Sequence, residues 1–154
     1  MEVAVLLHNI RSAHNVGSIF RTADAAGVRK MFLSGYTPLP LDRFGRPQKD
    51  VAKTALGAEL SVPWEYAKTP AACIRTLKKE GFAVVGAEQD PRAVPYRDFS
   101  VSGPTLFLFG NEVLGLSPAL RSACDTLLEI PMRGKKESLN VSVAAGIILF
   151  GTTR

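Results

Sequence analysis

A chain of 154 residues, 46% hydrophobic and with a formal charge of +5, suits a single domain over residues 1–154 with a sizeable core, and favours an anionic partner. It holds no apolar run long enough for a membrane span, no basic start and cleavage site of a secretory leader, no repeat and no low-complexity block. Its 2 cysteines, Cys73 and Cys124, and 2 histidines, His8 and His14, are too few and too scattered for a metal-ligand set, so the reading is a reduced, cytoplasmic, metal-free protein.

Taken in chain order, Val3 to Leu7 reads as a buried strand, Ser18 to Ala26 as a helix and Lys30 to Ser34 as a second short strand. A long polar connection with prolines and glycines follows. Thr69-Pro70 is a cap with proline in the first turn, and Ala71 to Glu80 continues as a helix closed by Gly81. Phe82 to Ala87 is the next strand, and Thr105 to Phe109 is another between Gly103-Pro104 and Gly110. Ser117-Pro118 then opens a capped helix reaching Ala123. Thr126 to Ile130 supplies a further strand. The last helix starts near Asn140 or Val141 and runs through Phe150 with apolar residues on every side, which predicts burial in the fold or in a subunit interface. Strands that alternate with helices and are apolar throughout predict the α/β class, a mainly parallel sheet with helices on both faces.

Such sheets bind ligands beyond the carboxyl ends of their strands. Three segments directly after strands therefore stand out: Gly86-Ala87-Glu88, Gly110-Asn111-Glu112, and the polar loop from Pro131 to Asn140. Gly110 either lets backbone approach a ligand or is a turn glycine. Neither it nor Gly86 belongs to a dinucleotide glycine pattern, which disfavours nicotinamide and flavin cofactors. A fourth segment follows the first strand. There Asn15 suits a helix cap, Gly17 permits close packing, and Arg21 falls about one and a half turns after Asn15. Two basic clusters complete the picture, Arg43, Arg46, Lys49 and Lys53 in the long connection and Arg133, Lys135 and Lys136 after the last strand. They either flank one nucleic-acid groove or are two solvated loops.

Three motifs emerge in order: Asn15-x-Gly17-x-x-x-Arg21, then Phe109-Gly110-Asn111-Glu112-x-x-Gly115-Leu116, then Ile130-Pro131-Met132 with Ser138-Leu139-Asn140-Val141-Ser142. Together, over essentially the whole chain, they resemble the SpoU, or TrmH-like, family of RNA ribose methyltransferases in the SPOUT superfamily. The resemblance implies a sheet ending in a C-terminal deep trefoil knot, S-adenosylmethionine as cofactor, and a homodimer that completes the RNA site. It also implies methyl transfer to a ribose 2′-hydroxyl of tRNA or rRNA. By motif position, backbone around Gly86, Gly110, Ile130 and Leu139 would hold the cofactor, with Val85, Ala87 and Met132 beside it, while Asn15, Arg21, Glu112, Ser138 and Asn140 would surround the ribose.

Arg21 holds the family's central catalytic position. A guanidinium has no acceptor to offer a proton, so its expected role is to orient a phosphate and stabilise the developing alkoxide. Glu112 is either a general base or a brace that accepts backbone hydrogen bonds. Ser138 and Asn140 orient ribose or loop, and Asn140 alternatively caps the final helix. Two departures from the family pattern bear on recognition. The chain opens directly at its first strand, without the amino-terminal RNA-binding domain of many relatives, and it stops at Thr152-Thr153-Arg154, soon after the last motif. RNA recognition is then expected from its own basic loops, from the dimer or from a partner. The competing readings are a catalytically inactive RNA-binding module of the same fold and a nucleotide-binding α/β protein unrelated to methylation.

Overall fold

The computed structural model describes residues 2–153. Its strands are β1 (Val3–His8), β2 (Lys30–Ser34), β3 (Trp64–Ala67), β4 (Ala83–Ala87), β5 (Val94–Pro95), β6 (Thr105–Phe109) and β7 (Thr126–Glu129). They form one 7-stranded sheet in the order β3-β2-β1-β6-β4-β7-β5, and every neighbouring pair is parallel. The helices are α1 (Ala13–Ala26), α2 (Lys49–Ala55), α3 (Ala58–Ser61), α4 (Pro70–Lys79), α5 (Pro118–Ala123) and α6 (Val141–Thr152).

The strands are apolar throughout because both faces are covered. Along β1, Val3, Val5 and Leu7 point to the core shared with α1, α2, α3 and α6, while Ala4 and Leu6 point to the core shared with α4 and α5. Leu6, Phe107 and Phe109 are completely buried, and each such side chain contributes about 1.5–3 kcal/mol relative to exposure. The central pair β1 and β6 therefore anchors the sheet. The chain's order of travel turns round at this pair, and beyond its carboxyl ends the loops leaving β1 and β6 meet, residues 9–12 bonding to Asn111 and Glu112.

Several boundaries differ from the sequence expectation. The first helix starts at Ala13, not Ser18, and its cap is Ser12, whose hydroxyl accepts the Asn15 N–H at 3.1 Å. Asn15 thus lies inside the first turn, which frees its side chain for another partner. The connection after β2 is more than a loop, since it contains α2, α3 and β3. Only Val51 and Ala55 of α2 are buried, and β3 is an edge strand with Glu65 and Tyr66 exposed, so neither displays enough apolar pattern to be read in advance. Gly17 marks where α1 meets α2: a Cβ there would collide with the Thr54 hydroxyl and the Val51 carbonyl. In the remaining elements, β4 begins at Ala83, one residue later than expected, and β7 ends at Glu129, one earlier.

Helix α6 buries Ala145, Ile148, Leu149 and Thr152 but leaves Val143 and Phe150 about half exposed. Its all-round apolar character therefore serves the core on one side and faces solvent on the other. Both cysteines are partly buried, and desolvation pushes their thiols up to about 11, as befits small packing residues rather than nucleophiles.

Candidate active site

One carboxylate ties the first two motifs together. Glu112, just beyond β6, accepts the Arg11 N–H at 2.9 Å, the Ser12 N–H at 3.0 Å and the Asn15 side-chain amide at 3.1 Å. The third motif joins through Asn140, whose amide nitrogen donates to Asn15 Oδ1 at 3.1 Å while its own Oδ1 caps α6 by accepting the Ser142 N–H at 2.9 Å. The orientations are mutually forced. An ionised carboxylate only accepts, so Asn15 must present its nitrogen to Glu112, which leaves its oxygen for Asn140 and the Asn140 oxygen for the helix. Desolvation raises the Glu112 carboxyl, but the amides of Arg11, Ser12 and Glu112 itself, with the Asn15 side chain, outweigh it. The net shift is downward from the ordinary value.

Beside this chain of bonds lies a cavity of about 190 Å³ at the carboxyl ends of β6, β4 and β7. Ala87, Gly110, Glu112, Ile130, Met132, Ser138 and Leu139 all line it, so the structure brings these expected site residues to one place. Gly110 is required by crowding, because a Cβ there would come within 2.7 Å of the Gly115 carbonyl group. Val85 and Gly86 stand below the cavity within β4: Val85 is buried in the core, and a Cβ on Gly86 would meet the Cys124 sulfur and Leu127, away from the cavity wall. A larger cleft of about 700 Å³ lies between α4 and β1 to β3, but it gathers none of the motif residues, so size does not select the site.

Two residues that hold the site belong to the strand-end segments but have no role assigned from the sequence. Asn111 accepts the Val113 and Leu114 N–H groups, each at 2.8 Å, and donates to the Asn9 carbonyl at 3.0 Å and the Tyr36 hydroxyl at 2.8 Å. Glu88 accepts the Leu116 N–H at 2.6 Å and so pins the loop after β6 to the end of β4. Both occupy positions directly beyond strand ends, which was the signal available for them. Asn9 has a left-handed φ of 57°, a conformation asparagine tolerates.

The other expected residues lie apart from the cavity. Arg21 is exposed on α1, with no hydrogen bond or ion pair among the described residues. Arg43 and Arg46 flank an exposed ring, Phe44, while Lys49 and Lys53 belong to α2 rather than to a loop. Arg133, Lys135 and Lys136 are exposed in the segment after β7, where Gln89 reaches the Glu137 carbonyl at 2.7 Å. Among the described residues no cluster of metal-ligating side chains exists, and no helix is long and apolar enough to cross a membrane.

The family model of the SpoU rRNA methylase family matches residues 2–150. The chain belongs to this family. Among its relatives, the 23S rRNA (guanosine-2′-O-)-methyltransferase RlmB of Ralstonia nicotianae is 38% identical over 151 residues, covering 97% of this chain and 57% of that protein. The enzyme of the same name from Vibrio parahaemolyticus is 36% identical over 150 residues, covering 97% of this chain and 58% of its own length. An AdoMet-bound rRNA methyltransferase from Sinorhizobium meliloti matches with a TM-score of 0.87 and 34% identity, over 97% of this chain and 55% of that one. The SpoU domain seen here thus spans less than two thirds of these relatives.

Proposed function

We propose that this SpoU domain transfers a methyl group from S-adenosylmethionine to a ribose 2′-hydroxyl of tRNA or rRNA, in the cytoplasm and as a homodimer. The observation that carries the proposal is the bond chain Glu112–Asn15–Asn140, which assembles three distant motifs at the rim of one cavity. The cavity also fits a nucleoside chemically. Its walls are apolar at Ile130, Leu139 and Ala144, with Gln89, Glu129 and Ser138 among the polar residues beside them, the mixture of apolar wall and a few polar groups that a nucleoside needs. Its volume of about 190 Å³ is smaller than typical small-molecule sites, so the exposed segment 133–139 would move outward on binding.

Backbone around Gly110, Ile130 and Leu139 would hold S-adenosylmethionine, which supplies a sulfonium methyl when bound, with Ala87 and Met132 beside it, while Val85 and Gly86 support this floor from within β4. Glu112 acts as a brace rather than a base, because its oxygens are already occupied by donors that favour the charged form. Ser138 and Asn140 orient the ribose. Arg21 would stabilise the developing alkoxide and orient a neighbouring phosphate. Since Arg21 is exposed and does not line this chain's own cavity, the dimer reading has a specific role: a second copy delivers Arg21 to the cleft. The half-exposed Val143 and Phe150 on α6 offer apolar surface for such pairing. The trefoil knot belongs to the same reading, supported by the convergence of segments 87–89, 109–115 and 128–148 on one cavity.

The test is transfer of radiolabelled methyl groups to bulk undermethylated RNA by this protein and by Arg21→Ala. Loss of an oxyanion-stabilising donor predicts a fall of about 100-fold or more with S-adenosylmethionine affinity retained. Equal incorporation by both proteins removes Arg21 from the mechanism, and absence of incorporation into any RNA overturns the enzymatic reading.

A further inference from the structure

The segment between β2 and α2 carries a feature that methyl transfer does not explain. Residues 41–47 form a self-contained hairpin-like tip: Leu41 and Pro47 pair across it in antiparallel fashion, Asp42 N–H donates to the Arg46 carbonyl at 2.8 Å, and Gly45 takes a φ of 76°. The Asp42 carboxylate organises the turn by accepting the Phe44 N–H at 2.8 Å and the Arg46 N–H at 3.0 Å. At its apex the Phe44 ring is 66% exposed. The guanidiniums of Arg43 and Arg46 lie 4.8 and 5.0 Å from its centroid.

An ordered tip that holds a phenyl ring in water has no packing role to repay it, since the ring contributes nothing to either core. The two guanidiniums differ in freedom. Arg46 Nε is tied to Asp42 at 3.0 Å, whereas Arg43 has no carboxylate partner among the described residues. We propose that Phe44 is a stacking platform for an unpaired RNA base, with Arg43 leaving the ring to take the adjacent phosphate. The inference rests on the RNA substrate argued above and deepens it, because it names single-stranded or looped RNA as what the tip reads. An aromatic face flanked by cations matches the alternation of base and phosphate along an unpaired strand. Lys49 and Lys53 on the following helix continue the positive charge. Arginine and aromatic rings also occur in protein interfaces, but the basic residues that continue along Lys49 and Lys53 favour a polyanion over a protein surface.

Fluorescence anisotropy with a labelled short oligoadenylate and a blunt RNA duplex of equal length tests the proposal. Phe44→Ala weakens oligoadenylate binding by about ten- to a hundredfold and leaves duplex binding within about twofold, since only unpaired bases present a free face. The ring is uncharged, so the salt dependence stays unchanged in Phe44→Ala, while Arg43→Ala lowers the slope of log affinity against log salt by about 0.7. Phe44→Trp restores affinity, and oligoadenylate quenches the new indole. Unchanged oligoadenylate affinity in Phe44→Ala overturns the proposal, as does an equal loss on duplex. A change in sedimentation between the parent and Phe44→Ala overturns it in favour of a protein contact. Failure of the unsubstituted protein to bind either RNA overturns this proposal, while the methyl-transfer assay on bulk RNA decides the enzymatic reading separately.

Discussion

Two regions of this molecule are each organised by a single carboxylate, and the spans differ sharply. Glu112 gathers the Arg11 and Ser12 amides from 101 and 100 positions away, whereas Asp42 gathers the Phe44 and Arg46 amides from 2 and 4 positions away. The first brace exists only once the sheet has brought β1 beside β6. The second needs nothing beyond its own turn. A long-range brace couples the site to global stability, while a local one shapes a recognition element that can change without disturbing the core.

Between the two braces, the largest expected effect comes from Glu112→Ala. Removing the acceptor leaves the Arg11 and Ser12 amides unpaired and Asn15 without its anchor, which would cost about 1–2 kcal/mol after allowance for solvent screening. Calorimetry should show a melting temperature lower by about 2–8 °C for a chain of this size. Methyl transfer should fall in parallel, because Asn140 loses its register through Asn15; full activity would break the coupling inferred for the long-range brace. Asp42→Ala should be milder and local. Melting should stay within about 2 °C of the parent, as for most surface substitutions, and S-adenosylmethionine affinity should be unchanged. Amide exchange should accelerate only around Phe44 and Arg46, and exchange that spreads into β2 or α1 would erase the distinction between the two braces.

The smallest effect is set by pH. Hydrogen bonds from the Arg46 and Phe44 amides and from the Arg46 side chain hold the Asp42 carboxyl below its ordinary value against desolvation, and Glu112 is shifted in the same direction. Depressed folded values mean that both contributions are complete above the unfolded carboxylate range, about pH 4, and drain away only as pH falls through the lower folded values. Protection of the Arg11, Ser12, Phe44 and Arg46 amides should therefore persist through about pH 4 and decline below it. Decline already at about pH 6 would contradict both assignments.

The same contrast of range explains what could be read in advance. The apolar runs Val3 to Leu7 and Thr105 to Phe109 and the Ser117-Pro118 start are local patterns, and each appears in the structure close to where the residues predict it. The three motifs are local patterns too, of which Asn15, Glu112 and Asn140 meet and Arg21 stays apart. Asn15 was legible as a polar residue at a helix start but not as the partner of Glu112, because nothing local links positions 97 apart. Its expected capping role fell to Ser12, whose pattern Ser12-Ala13-His14-Asn15 is an equally good start. Helix α2 and β3 were hidden because each buries too little to leave a periodic trace, and β5 because a two-residue edge strand ending in Pro95 resembles a loop. Arg43 and Arg46 were legible as charge. The exposure of Phe44 between them was not, since a phenylalanine in a sequence is read as core.

The interleaved strand order has a consequence for how this protein is made. As the nascent chain leaves the ribosome, β1, β2 and β3 can pair with one another, but the other edge of β1 stays open until residues 105–109 arrive to fill it. Through that interval an apolar strand offers unpaired amides and carbonyls to any neighbour, the condition under which half-made sheets stick to one another. A translational pause between Ala67 and Thr105 would prolong it, so chaperone demand should peak in that window and end when β6 slots in.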